Sequence, residues 1–102
     1  MTEEATYTIA KTLIESFEGN LTTLGEGDII SKIYKIMYEY GRVGIHLKLL
    51  IELLQIDKVR GKIIIQIGID SGVLQLNSNY VYKLKDCHRN QLLKIMKERS
   101  GA

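Results

Sequence analysis

A chain of 102 residues with 45% apolar and 25% charged side chains has the composition of one folded globular domain, which excludes disorder over most of its length. A single cysteine excludes an internal disulfide, and no run approaches the roughly 20 apolar residues of a membrane-spanning helix. The net charge of +2 hides an asymmetry: residues 1–41 carry three lysines against seven acids, and residues 42–102 carry eleven bases against five acids. A phosphate-binding half joined to a packing half has this division, and so does ordinary solvated surface. Proline and tryptophan are absent. Together with abundant Ile, Leu and Lys, this points to an A/T-rich genome or a hot habitat, and so to an archaeal or viral source. The start Met1-Thr-Glu-Glu is acidic with no apolar segment behind it, so an intracellular location is expected, the host cytoplasm for a viral protein. Cys87 is expected to be reduced and partly buried.

In chain order, Ala5, Ile9, Leu13 and Phe17 lie four apart and predict an N-terminal helix over 2–18, with Thr2 as its cap. Three glycines between Gly19 and Gly27 predict a break, with room for a short extended piece at 21–24. Asp28 is placed to cap a helix carrying Ile29, Ile33, Ile36, Met37 and Tyr40 on one face and stopping at Gly41. Residues 42–44 are short enough for one extended link. A second helix from Ile45 to Ile56 is apolar nearly all round and should sit centrally, with His46 as a surface or capping residue. Near the C-terminus, Asp86 is placed to cap a helix over 86–99 with Leu92, Leu93 and Met96 inward. The segments 20–37 and 79–96 have equal length and similar ends, which recurrence of an amphipathic helix explains without duplication.

The stretch between these elements carries a resemblance. Leu50-Ile51-Glu52-Leu53-Leu54-Gln55-Ile56-Asp57, followed at the matching interval by Gly72-Val73-Leu74, resembles the centre of a winged helix-turn-helix DNA-binding domain over residues 28–84. It implies a mainly α fold with a small β-hairpin and extra helices at both ends. Residues 57–70 would form the recognition helix, capped by Asp57, and residues 73–84 the wing. Three positions usually apolar in such a helix fall on Gly61, Ile65 and Gly68. A rotated stripe of Val59, Ile63, Ile64 and Ile67 is the alternative register. A rival reading takes residues 62–69 as a strand, because Ile63, Ile65, Ile67 and Ile69 alternate on one face. The turn Asp70-Ser71-Gly72 would then lead into strands 73–76 and 80–85, giving an α+β fold with a three-stranded antiparallel meander.

The resemblance implies double-stranded DNA as partner. Lys58, Arg60, Lys62 and Gln66 would face the major groove, Asn77, Ser78 and Asn79 would lie at the wing tip, and Lys83 and Lys85 would sit behind them as phosphate contacts. Tyr80 and Tyr82 are expected to pack within the strand. The amphipathic terminal helices suggest a homodimer formed through them. The meander implies instead a protein-protein interaction module of a virus or plasmid, with no DNA binding. Two histidines, one cysteine and no nucleophile motif give no basis for a catalytic site, a metal, a cofactor or a small-molecule substrate.

Overall fold

The computed structural model describes residues 3–77 and 80–100. Within them lie five α-helices and three short strands, so the protein is mainly α with a small antiparallel sheet. Thr2, expected as a cap, lies outside the described residues, as do Ser78 and Asn79 at the hairpin tip.

Helix α1 spans Glu3–Thr23, five residues beyond the expected end, and the extended piece at 21–24 does not form. The buried stripe is Ala10, Ile14, Phe17 and Leu21, all fully buried, whereas of the expected stripe Ala5 is exposed and Ile9 and Leu13 are half-buried. A mid-helix glycine such as Gly19 costs about 1 kcal/mol. Burying one leucine contributes about 1.5–3 kcal/mol, so the longer helix wins. It ends when Gly25 turns left-handed (φ +79°), with Glu26 N–H donating to Leu21 O at 2.8 Å.

Helix α2, Ile30–Tyr40, buries Ile33, Tyr34, Ile36 and Met37, while Tyr40 is only half-buried. Asp28 does not cap it. A 3-10 turn over Gly27–Ile29 precedes the helix, and no side chain accepts from its first turn. Residues 42–44 form a turn rather than an extended link, closed by Gly44 N–H to Tyr40 O at 2.6 Å.

Ile45 does not begin the next helix. Strand β1, Ile45–His46, pairs with Val81 and Tyr82, and α3 follows as Leu47–Leu54. The β-branched Ile45 reaches the core from a strand, and His46 Nδ1 then accepts from Lys48 N–H at 3.3 Å, the capping role expected of it. Helix α3 is less central than its composition suggests, since Leu49 and Leu53 are both exposed.

Residues 61–70 are helical, so the three-strand meander with a strand at 62–69 does not form. Helix α4 spans Lys58–Asp70, and Asp57 Oδ1 accepts from Arg60 N–H at 2.9 Å as its cap. Gly61, Ile64, Ile65 and Gly68 face inward, whereas Val59 and Ile63 are 70% and 49% exposed, which rules out the rotated stripe. The glycines explain the choice. A methyl group at Gly61 would lie 2.7 Å from Ile51 Cγ1, and one at Gly68 would lie 2.5 Å from Leu74 Cδ1. Two glycines cost about 2 kcal/mol in helix propensity, and the close seating of α3 and β2 against them offsets that. Ser71 and Gly72, expected in the rival reading as a strand turn, close the helix instead: Val73 N–H reaches Gly68 O and Gly72 N–H reaches Ile69 O, both at 3.0 Å.

Strands β2 (Leu74–Leu76) and β3 (Val81–Leu84) form the hairpin, with Leu74 opposite Leu84 and Leu76 opposite Tyr82. The sheet order is β1–β3–β2. Its inner face places Ile45, Leu74, Tyr82 and Leu84 in the core.

After a 3-10 turn over Asp86–His88, α5 runs from Arg89 to Arg99 and packs on α1 and α2. Asp86 does not cap it; its carboxylate contacts Lys83 and Arg89 instead. A polar lock ties the three helices together. The buried Tyr34 hydroxyl donates to Glu18 Oε2 at 2.8 Å, and Arg99 Nη1 donates to Glu18 Oε1 at 2.5 Å. Burial first, and then the hydrogen bond to Glu18, pushes the Tyr34 phenol far above its ordinary pKa. Segments 20–37 and 80–96 differ in structure, one starting on a helix and the other on the hairpin, so their likeness in sequence is not duplication.

Candidate nucleic-acid interface

Helix α4 turns Lys58, Val59, Lys62, Ile63, Gln66 and Asp70 outward. Lys58 and Lys62 stand one turn apart, with Gln66 one turn further on. Gln66 Nε2 donates to Asp70 Oδ1 at 2.8 Å, which uses one of its two amide N–H groups and leaves the other and Oε1 for a further partner.

Arg60 is held differently from its neighbours. Its Nε donates to Glu26 Oε2 at 2.5 Å and its Nη2 lies 3.9 Å from Asp28. The Glu26 hydrogen bond raises the guanidinium pKa further, so Arg60 stays cationic while anchoring α4 to the turn before α2. A carboxylate 34 residues away therefore engages one of the side chains expected to face the major groove.

The hairpin shows a similar division. Asn77 closes the turn: its Oδ1 accepts from Val81 N–H at 3.0 Å and its backbone oxygen accepts from Tyr80 N–H at 3.2 Å. Lys83 is half-buried with Nζ 3.7 Å from Asp86, while Lys85 is exposed. Tyr82 packs inward as expected. Tyr80 does not pack in the strand: at φ +58° it points outward and is 67% exposed.

Two residues outside the expected set join this surface. His46 and Lys48, at the start of α3, line a groove of about 370 Å³ together with Lys58 from α4. The polar pair flanking Leu47 is the sequence signal for them. Exposed Val59 and Ile63 carry no such signal, because their direction depends on which face of α4 the glycines turn inward.

Charges from the two halves of the chain also meet across the fold. Glu26 and Asp28 face Arg60, and Glu18 faces Arg99. Part of the basic excess of residues 42–102 is thereby neutralised, while Lys48, Lys58, Lys62 and Lys85 are among the cations that stay exposed. The stripes of α1 and α5 lie against each other and α2, and Lys94 and Lys97 sit 5.6 Å over the rings of Tyr7 and Tyr38. The apolar faces that suggested dimerisation through the terminal helices are thus occupied within one chain. Cys87 is exposed rather than partly buried.

Among the described residues, no group of three or more His, Cys, Asp or Glu could hold a metal ion, and no helix is long and apolar enough to cross a membrane. Comparison of the chain with protein-family models, curated proteins and solved structures finds no match.

Proposed function

We propose that the protein binds double-stranded DNA as a small regulator, with α4 in the major groove and the β2–β3 hairpin as its wing. The observation that carries this reading is the outward face of α4. It holds Lys58 and Lys62 for phosphates or guanine edges, Gln66 for adenine, and Val59 and Ile63 for thymine methyl groups. Lys48 extends the cationic surface onto α3, with His46 beside it. Arg60 acts in this scheme by fixing the angle of α4 through Glu26.

The test is fluorescence anisotropy with random and A/T-rich duplexes over a series of salt concentrations. Affinity should fall steeply with salt. The double variant Lys58→Ala, Lys62→Ala should flatten the log-log salt slope by about 1.8, the release expected for two phosphate contacts. No binding by the unsubstituted protein at low salt sinks the proposal.

A second reading is favoured by one specific observation. Leu24, Val59 and Ile63, exposed by 56%, 70% and 49%, line an apolar groove of about 290 Å³ beside Glu26 and Asp57. In this reading α4 docks a protein partner rather than a duplex. Val59→Ser together with Ile63→Ser would then abolish function, while Lys58→Ala with Lys62→Ala would leave it intact.

A further inference from the structure

Between α2 and α3 lies a groove of about 330 Å³, with Ile36, Tyr40 and Leu53 as its apolar part and Lys32, Lys35 and Glu39 along its edge. Its α2 residues recur at steps of three and four, so they form one stripe of that helix. On α3, Leu53 is exposed, as is Leu49 one turn before it. The groove shares no residue with α4, so a role for it is independent of the DNA-binding reading.

The charges on this stripe are unused within the chain. The side chains of Lys32, Lys35 and Glu39 are exposed and have no ion pair or hydrogen bond among the described residues. Lys35 and Glu39 stand one turn apart and yet do not pair with each other. Their order along α2 is base, base, acid. A helix with that order is complementary to itself when two copies lie antiparallel, because a two-fold axis sets residue i against j and j against i. A duplex fits this face poorly, since Glu39 would meet its phosphates. An unrelated protein would have to bring the reverse order of charges, which a second copy carries by construction. At about 1.5 Å per residue α2 is roughly 16 Å long, which puts the face at the small end of specific interfaces and makes the association reversible.

We infer that two copies of the chain associate through the α2–α3 face, about a two-fold axis that crosses α2 between Lys35 and Glu39. Lys35 then meets the partner's Glu39, and Glu39 meets the partner's Lys35. Leu49 and Leu53 of both copies are taken out of water, which supplies the affinity. The two charge pairs fix the antiparallel orientation.

Sedimentation equilibrium of the intact protein at low salt, from about 1 μM to about 1 mM, tests the interface. A reversible monomer–dimer equilibrium is expected. Lys35→Glu and Glu39→Lys, both at exposed positions, should each weaken association about tenfold or more, because each sets like charges together at two contacts. An equal mixture of these two variants should associate about as tightly as the unsubstituted protein, since every contact in the mixed pair is again between opposite charges. Leu53→Ser should also weaken association about tenfold. Lys11→Glu makes the same charge change on the exposed side of α1 and should leave it unchanged. The interface is overturned if the protein stays monomeric throughout. It is equally overturned if the two charge variants, still folded by circular dichroism, dimerise like the unsubstituted protein, or if mixing them restores nothing.

Discussion

The helices α1, α2 and α5 differ from α3, α4 and the hairpin in what they do with their apolar side chains. The first group buries its stripes against itself and closes the seam with the Tyr34–Glu18–Arg99 lock. The second group holds most of the exposed apolar surface: of the nine exposed large apolar side chains among the described residues, seven lie between Val43 and Tyr80. The second group is also the richer in Ile and Leu, with 14 among its 28 helix and strand residues against 10 among 43 in the first, so it carries more apolar side chains than the core takes in. The difference makes one part the scaffold and leaves on the other the exposed surface to which the proposed function assigns a partner.

Substitutions should separate the two groups sharply. Phe17→Ala in α1, at a fully buried position beside Tyr34, should cost about 3–5 kcal/mol in urea denaturation, whereas Ile63→Ala on α4 should stay near 0.5 kcal/mol. Equal losses at the two positions would erase the distinction. Gly68→Val lies on the seam between the groups, where even a methyl group would stand 2.5 Å from Leu74 Cδ1. Overpacking there should cost about 1–3 kcal/mol, and truncation of the neighbour in Gly68→Val, Leu74→Ala should recover part of it. Asp57→Ala should remove about 1 kcal/mol by uncapping α4, and Asp57→Ser should restore most of that.

An effect confined to alkaline solution concerns pH. The phenol of Tyr34 has its pKa raised in the folded protein, so folding favours its neutral form. That contribution is complete below the ordinary tyrosine pKa of about 10 and is lost above it, where the unfolded chain ionises first. Stability should therefore be flat in this group up to about pH 10, then fall by at most about 1.4 kcal/mol per pH unit. Tyr34→Phe should remove this share of the alkaline slope while the remaining tyrosines keep theirs. A variant with an unchanged slope would show that the lock does not control alkaline unfolding.

Much of the fold was legible because its signals are local. The stripe of Ile29, Ile33, Ile36 and Met37 announces α2, Asp57 announces the start of α4, and the polar tip between two apolar runs announces the hairpin. The candidate surface was legible in part: Lys58, Lys62 and Lys85 are exposed as expected. Arg60 and Lys83 are engaged by carboxylates, and the partner of Arg60 lies too far along the chain for spacing to reveal it.

By itself, then, the sequence determined which segments could be helix or strand and where several of them begin, since caps, periodicity and turn residues act over a few positions. Only the tertiary structure decided between helix and strand at 61–70, turned Ile45–His46 into a strand, carried α1 past Gly19, and chose which face of α4 meets solvent. Each of those outcomes depends on burial against residues distant in sequence. At Gly61 and Gly68 the physical reason is a close approach to Ile51 and Leu74, a contact that exists only once the chain has folded around it.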